Sequence, residues 1–154
     1  MRKNYLHLCL FQPEIPQNTG TIGRLAAATQ CRLHIIRPTN FSLNDKNLKR
    51  AGLDYWPYLD IEIHNSIDTL LSQFKAEEIA FLSKKVDRSY DKMPVNIKLL
   101  IFGRETSGLP ETLHNKYPDN FYTIPMFHEK VRSLNLANAV SIVCYHQLLK
   151  RLNL

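Results

Sequence analysis

The segment at 124–152, IPMFHEKVRSLNLANAVSIVCYHQLLKRL, constrains the fold most. It begins as a strand end, crosses a basic polar loop and closes in an apolar helix. Ser133 or Asn135 can cap that helix, and Leu136, Val140, Val143 and Leu149 recur at helical spacing. The apolar and small residues are not confined to one stripe. Ala137, Ala139, Ile142 and Cys144 spread around the circumference, and Asn138, Ser141 and Tyr145 leave only a narrow polar line. Such a helix must be covered on more than one side. The chain's own sheet can cover one side. A second copy of the chain is the reading for the other, with Ala137, Ala139 and Ser141 small enough for close approach. Lys150 and Arg151 fall in the last turn, where they complement the helix dipole.

Upstream, the pattern alternates. Strands are expected at 5–11, 32–36, 61–63, 79–83, 98–102 and 121–124. Helices are expected at 18–29, at 42–50 behind Ser42, at 66–74 behind Ser66, and in a short segment opened by Pro110. This order implies an α/β fold: a mostly parallel sheet with helices on both faces, in one domain over 1–154. Ligands of such sheets bind at the carboxyl ends of the strands. The loops after Phe11, Ser83, Phe102 and Ile124 are therefore the ones to inspect.

Composition narrows the function. Twenty Lys and Arg against fourteen Asp and Glu give a net charge of +6, which favours a polyanionic partner. No apolar run is long enough to span a bilayer, and the N-terminal residues lack a signal segment. Cys9, Cys31 and Cys144 are scattered and odd in number, as buried thiols of a cytoplasmic protein would be. The six His show no paired metal-ligand spacing, so no metal site is expected. No GxGxxG follows the first strand and no GxxxxGK[ST] occurs, which disfavours a dinucleotide-dependent oxidoreductase.

The loop after Phe11 reads QPEIPQNTGTIGR. Pro13 and Pro16 stiffen it and are expected to hold Gln12 and Ile15 extended. Asn18 and Thr19 can cap the next helix, and Gly20 and Gly23 leave one helix face bare for a backbone or ligand. Arg24 is expected near the helix N-terminus. It either pairs with a surface acid or is aimed at a phosphate or developing oxyanion. In the loop GRETSGLP, Gly103 suits tight backbone approach, and Glu105 either braces the loop or serves a ligand. Leu82 can present an apolar wall. Lys49, Arg50, Lys84, Lys85, Arg88, Lys130 and Arg132 place cations near loops, where together they could track phosphates.

Three segments carry a resemblance. PEIPQNTGTIGR at 13–24, FGRETSGLP at 102–110 and IPM…RSLNLANAVSI at 124–142 resemble, in order, the motifs of the SPOUT methyltransferases. KRAGLDYW at 49–56 is similar to the smallest branch, the tRNA (cytidine/uridine-34 2′-O)-methyltransferases. The resemblance implies a C-terminal trefoil knot, S-adenosylmethionine as cofactor, and a homodimer paired through the last helix. It implies 2′-O-methylation of the wobble nucleotide in the tRNA anticodon loop. Arg24, Asn18 and Ser133 would be catalytic. Leu82, Gly103, Glu105, Ile124, Met126, Ser133, Leu134 and Asn135 would hold the cofactor. Arg24, Lys49, Arg50 and Tyr145 would contact RNA. Methylation of another tRNA or rRNA site, and a non-catalytic RNA-binding module of the same fold, are the alternatives.

Overall fold

The computed structural model describes residues 6–44, 46, 48, 50 and 54–154. Six strands form one sheet: β1 (His7–Phe11), β2 (Arg32–Ile36), β3 (Ile61–His64), β4 (Ile79–Leu82), β5 (Leu99–Phe102) and β6 (Phe121–Tyr122). Every pairing is parallel, and the order is β3-β2-β1-β5-β4-β6. The helices are α1 (Pro16–Thr29), α2 (Ile67–Leu71), α3 (Glu111–Lys116) and α4 (Leu136–Leu152). Residues 46, 48 and 50 are also helical, where a polar helix is expected. Tyr5, Lys49 and positions 51–53 of the KRAGLDYW segment lie outside the described residues.

The pleat divides the core in two. Leu8, Leu10, Leu33, Ile35, Leu100 and Phe102 face α1 and α4, packing with Ile22, Ala26, Val140 and Val143. Cys9, Phe11, Ile36, Phe81, Leu99 and Ile101 face the other way, packing with Leu70, Leu71 and Leu113 of α2 and α3. Side chains alternate between the faces of a strand, so a sheet covered on both sides needs nearly continuous apolar runs. HLCLF, RLHII and LLIF supply them.

Several expectations shift. Helix α1 starts at Pro16, with Ile15 as its cap residue, so Asn18 and Thr19 are buried helical residues and not caps. Proline at the first helical position lacks only an N–H that has no helical acceptor there, which explains the earlier start. Arg24 accordingly sits in the third turn, away from the N-terminus. Gln12 is left-handed at φ 46°, not extended, while its N–H still reaches the carbonyl of Ile36 at 3.0 Å. Helix α2 ends at Leu71, earlier than expected, and β6 stops at Tyr122.

Helix α4 is fastened by polar groups as well as packing. Gln147 is fully buried and donates to the carbonyl of Pro94 at 2.9 Å. Lys150 donates to Met93 O at 2.6 Å, and Arg151 to Val95 O and Ile97 O at 3.1 and 3.0 Å. The two cations thus hold the segment before β5, beyond any service to the helix dipole. Val140 and Val143 are 0% exposed within the single chain, and Ala137 is buried there too. These residues face the chain's own sheet and cannot be the surface offered to a second copy. The face left open carries Asn138, Ile142, Tyr145 and Leu149.

Among the described residues, no helix is long and apolar enough to cross a membrane.

Candidate active site

One cavity of about 370 Å³ opens at the carboxyl ends of β4, β5 and β6. Its walls come from distant parts of the sequence: Ile15 and Asn18, Leu82 to Lys85, the whole turn after Phe102, Thr123, Ile124 and Met126, and Arg132 to Leu136. Leu82, Gly103, Glu105, Ile124, Met126, Ser133, Leu134 and Asn135 all line it, as does Asn18. Arg24, Arg50 and Tyr145 do not.

The turn after β5 closes on itself. Arg104 and Gly108 exchange backbone hydrogen bonds of 3.2 and 3.0 Å, and Gly108 takes φ 68°, which suits glycine. A Cβ on Gly103 would lie 2.4 Å from the carbonyl carbon of Gly108 and 2.6 Å from the nitrogen of Leu109. Glycine is thus demanded by the turn's own main chain. Any side chain here would first collide with residues 108 and 109.

Two carboxylates clasp this turn to the segment before α1. Glu105 accepts from the backbone N–H groups of Glu14 and Ile15 at 2.8 and 3.1 Å. Glu14 in return accepts from the amide and hydroxyl of Thr106 at 3.1 and 2.8 Å. The Thr106 bonds, first its hydroxyl and then its amide, hold the Glu14 carboxyl below the usual range. Glu105 therefore lines the cavity as a brace, its carboxylate spent on main-chain donors. Glu14 and Thr106 were not legible as a pair, since 92 positions separate them.

Asn135 caps α4, its side chain accepting from Ala137 N at 2.9 Å. Its Nδ2 donates to Asn18 Oδ1 at 3.1 Å. Asn18 is thus tied to the cap of α4 and not to Arg24. Arg24 Nη2 instead donates to the Tyr55 hydroxyl at 2.6 Å, and the guanidinium carbon stands 4.3 Å from the Tyr55 ring centroid. Gly23 receives Leu59, whose Cδ2 would be 3.3 Å from an added Cβ, so its bare face serves packing.

Residues 5–145 match the SpoU rRNA Methylase family. The chain belongs to that family. It is 45% identical over 147 residues to a Bacillus subtilis protein provisionally named tRNA (cytidine(34)-2′-O)-methyltransferase, covering 93% of this chain and 91% of the relative. A solved structure described as giving insight into the 2-OH methylation of C/U34 on tRNA superposes with a TM-score of 0.86 at 40% identity, covering 97% of both chains. The SpoU methyltransferase AviRb from Streptomyces viridochromogenes, in complex with the cofactor AdoMet, shares the fold at TM-score 0.84 and 22% identity. It spans 99% of this chain, and this chain spans 60% of it.

His34, Glu62 and His64 bring ligand-type atoms within 4.8 Å of one another, although no spacing in the sequence announced it. Parallel neighbours β2 and β3 create the group. Their ring nitrogens already serve each other: His7 Nδ1 and His34 Nε2 are 2.9 Å apart, and His34 Nδ1 and His64 Nε2 are 3.0 Å apart. Glu62 meanwhile pairs with Arg32 at 3.2 Å. Burial, with His7, His64 and Arg32 nearby, pushes the pKa of His34 down to about 3. The cluster is a hydrogen-bonded chain of three imidazoles.

Proposed function

We propose that this chain is an S-adenosylmethionine-dependent tRNA (cytidine/uridine-34 2′-O)-methyltransferase, acting on the wobble ribose in the anticodon loop. The observation that carries the reading is convergence: the three motif segments, scattered over 13–142, wall a single cavity at the carboxyl ends of parallel strands. The names of the relatives supply the reaction class, and the bound AdoMet of AviRb supplies the cofactor class.

The cavity suits a nucleoside-bearing ligand. Its size falls in the range of small-molecule sites, and closed main-chain turns with Leu82, Ile124 and Leu134 supply apolar wall. Leu82, Gly103, Ile124, Met126 and Leu134 would wall the cofactor, with Ser133 and Asn135 at its polar end. Glu105 holds the turn closed from behind. S-adenosylmethionine supplies the methyl group as an electrophile. The protein's task is alignment of the ribose oxygen and management of the hydroxyl proton.

Arg24 is the catalytic residue in this reading. A guanidinium is effectively never deprotonated, so it does not act as a base. It holds the phosphate beside the target ribose and stabilises developing charge on the 2′-oxygen, while the proton leaves to phosphate or water. Asn18 ties helix α1 to the cavity through Asn135, and Ser133 lines the same cavity. Arg50 and Tyr145 are exposed and fit RNA contact, and Lys49 precedes Arg50 in the sequence. Lys84, Lys85 and Arg132 add cations at the cavity.

The chain acts as one cytoplasmic domain, paired as a homodimer through the open face of α4. In support, Ile142 and Leu149 are 39 and 42% exposed on one side of that helix. The segment from β6 back to α4 passes through a loop to form the trefoil knot. In support, β6 lies at the sheet edge beside β4, whereas α4 packs across the sheet against α1. Incubation with total tRNA and labelled S-adenosylmethionine, followed by mass spectrometry of the digested tRNA, tests the function. A methyl on the 2′-oxygen of nucleotide 34 is expected. A methyl on a base or on another nucleotide refutes the assignment.

A further inference from the structure

Arg24 stands exposed on the third turn of α1, where a long side chain samples many rotamers. Catalysis of the kind proposed above needs it held in one place. We propose that Tyr55 is a positioning residue for methyl transfer, fixing the Arg24 guanidinium by a hydrogen bond at one edge and by its ring beneath.

Both contacts are built in. Arg24 Nη2 donates to the Tyr55 hydroxyl at 2.6 Å, and the guanidinium carbon is 4.3 Å from the ring centroid. An arginine over an aromatic face is attracted by the ring's quadrupole. Tyr55 is itself secured. Its carbonyl accepts from Tyr58 N at 3.0 Å at the start of the short 3-10 turn Trp56–Tyr58, and Leu59 N closes the turn on Trp56 O at 3.2 Å. That turn rests on α1 at Gly23, the residue before Arg24. An added Cβ there would meet Leu59 at 3.3 Å and the Trp56 ring at 3.7 Å. Gly23 thus lets the turn settle on the helix, and the turn brings Tyr55 to Arg24.

The neutrality of the partner matters. A carboxylate at this place would hold the guanidinium as firmly but would also cancel its charge and compete with the substrate's phosphate. A phenol orients without neutralising. It occupies one N–H and leaves the remaining donors of the fork for a phosphate and the ribose oxygen.

The inference rests on the reading of Arg24 as catalytic, and the test separates the two. Single-turnover methylation of tRNA is measured for Tyr55→Phe, Tyr55→Ala, Arg24→Ala and the double variant Arg24→Ala with Tyr55→Phe. Calorimetry of S-adenosylmethionine binding accompanies each variant as the check on folding. Tyr55→Phe should slow methyl transfer about tenfold, the worth of one hydrogen bond to a charged group near the surface. Tyr55→Ala should slow it a further two- to fivefold or so through loss of the ring. Cofactor affinity should stay within about twofold, since neither residue lines the cavity, a margin typical of independent sites. In the Arg24→Ala background, Tyr55→Phe should change nothing further. Wild-type rates for both Tyr55 variants beside a crippled Arg24→Ala would overturn the proposal. So would an equal loss on adding Tyr55→Phe to either background, because Tyr55 would then act without Arg24. A wild-type rate for Arg24→Ala would overturn the catalytic reading itself, and this inference with it.

Discussion

Replacing Gly103 by alanine should damage both stability and cofactor binding. The added methyl carbon would lie 2.4 and 2.7 Å from the carbonyl carbon and Cα of Gly108, and 2.6 Å from Leu109 N. Carbon atoms rest at about 3.5–4.0 Å, so the turn must retreat by roughly 1 Å. Main chain cannot rotate out of the way as a side chain can. Retreat breaks at least one of the two Arg104–Gly108 hydrogen bonds, worth about 1 kcal/mol. Overpacking strain adds about 1–3 kcal/mol, so a total loss of about 2–4 kcal/mol is expected. Because this turn walls the cavity, S-adenosylmethionine affinity should fall tenfold or more, about 1.4 kcal/mol. Urea denaturation gives the first quantity and titration calorimetry the second. Gly108→Ala is the control: nothing lies within 4 Å of its added carbon, and only the positive φ opposes it, at about 1–2 kcal/mol. If Gly103→Ala unfolds at the wild-type urea midpoint, or proves milder than Gly108→Ala, the turn does not impose the constraint argued here.

Arg24→Ala should lose about a hundredfold or more in turnover, as expected for one charge-stabilising donor, yet keep calorimetric affinity for S-adenosylmethionine. Failure to bind the cofactor would contradict its place outside the cavity. Ile142→Glu should give a folded monomer in sedimentation, whereas Val140→Glu should fail to fold, because only the second side chain is buried within one chain; a dimeric Ile142→Glu variant would refute the pairing face. Stability should fall as pH drops below about 6.5, the ordinary histidine value, and continue falling toward about 3, where folded His34 finally protonates. The unfolded chain takes up protons in that window that the buried imidazole refuses, at up to about 1.4 kcal/mol per pH unit for this one group. His34→Asn should flatten the slope between pH 6.5 and 5 in urea melts, and an unchanged slope would exclude His34 as its source.

Much of the fold was written in local pattern. Continuous apolar runs such as LLIF and the capping residues Ser66 and Asn135 announce their elements directly, because strand burial and capping depend on near neighbours. The cavity's place at the carboxyl ends of the strands was also legible, and the resemblance named Leu82, Gly103, Ile124 and Ser133 for its wall. What escaped were contacts made by topology. The Glu14–Thr106 clasp, the Arg24–Tyr55 pair and the His7–His34–His64 chain each join segments far apart in sequence. No periodicity reports such meetings. The open face of α4 was misjudged for a related reason: with small and large apolar residues all round, only the packed sheet decides that Ala137 turns inward.

The bond between Asn18 and Asn135 has a temporal meaning. A ribosome emits the first of these residues long before the second, with 117 positions between them. Until the last helix is free of the exit tunnel and docked, its cap cannot reach back to the start of α1, and the slot between them has only part of its wall. A nascent chain should therefore be inert toward the cofactor however much of its sheet has assembled. Docking of α4 and the gain of binding then become a single event, so that no copy without a docked α4 can sequester S-adenosylmethionine.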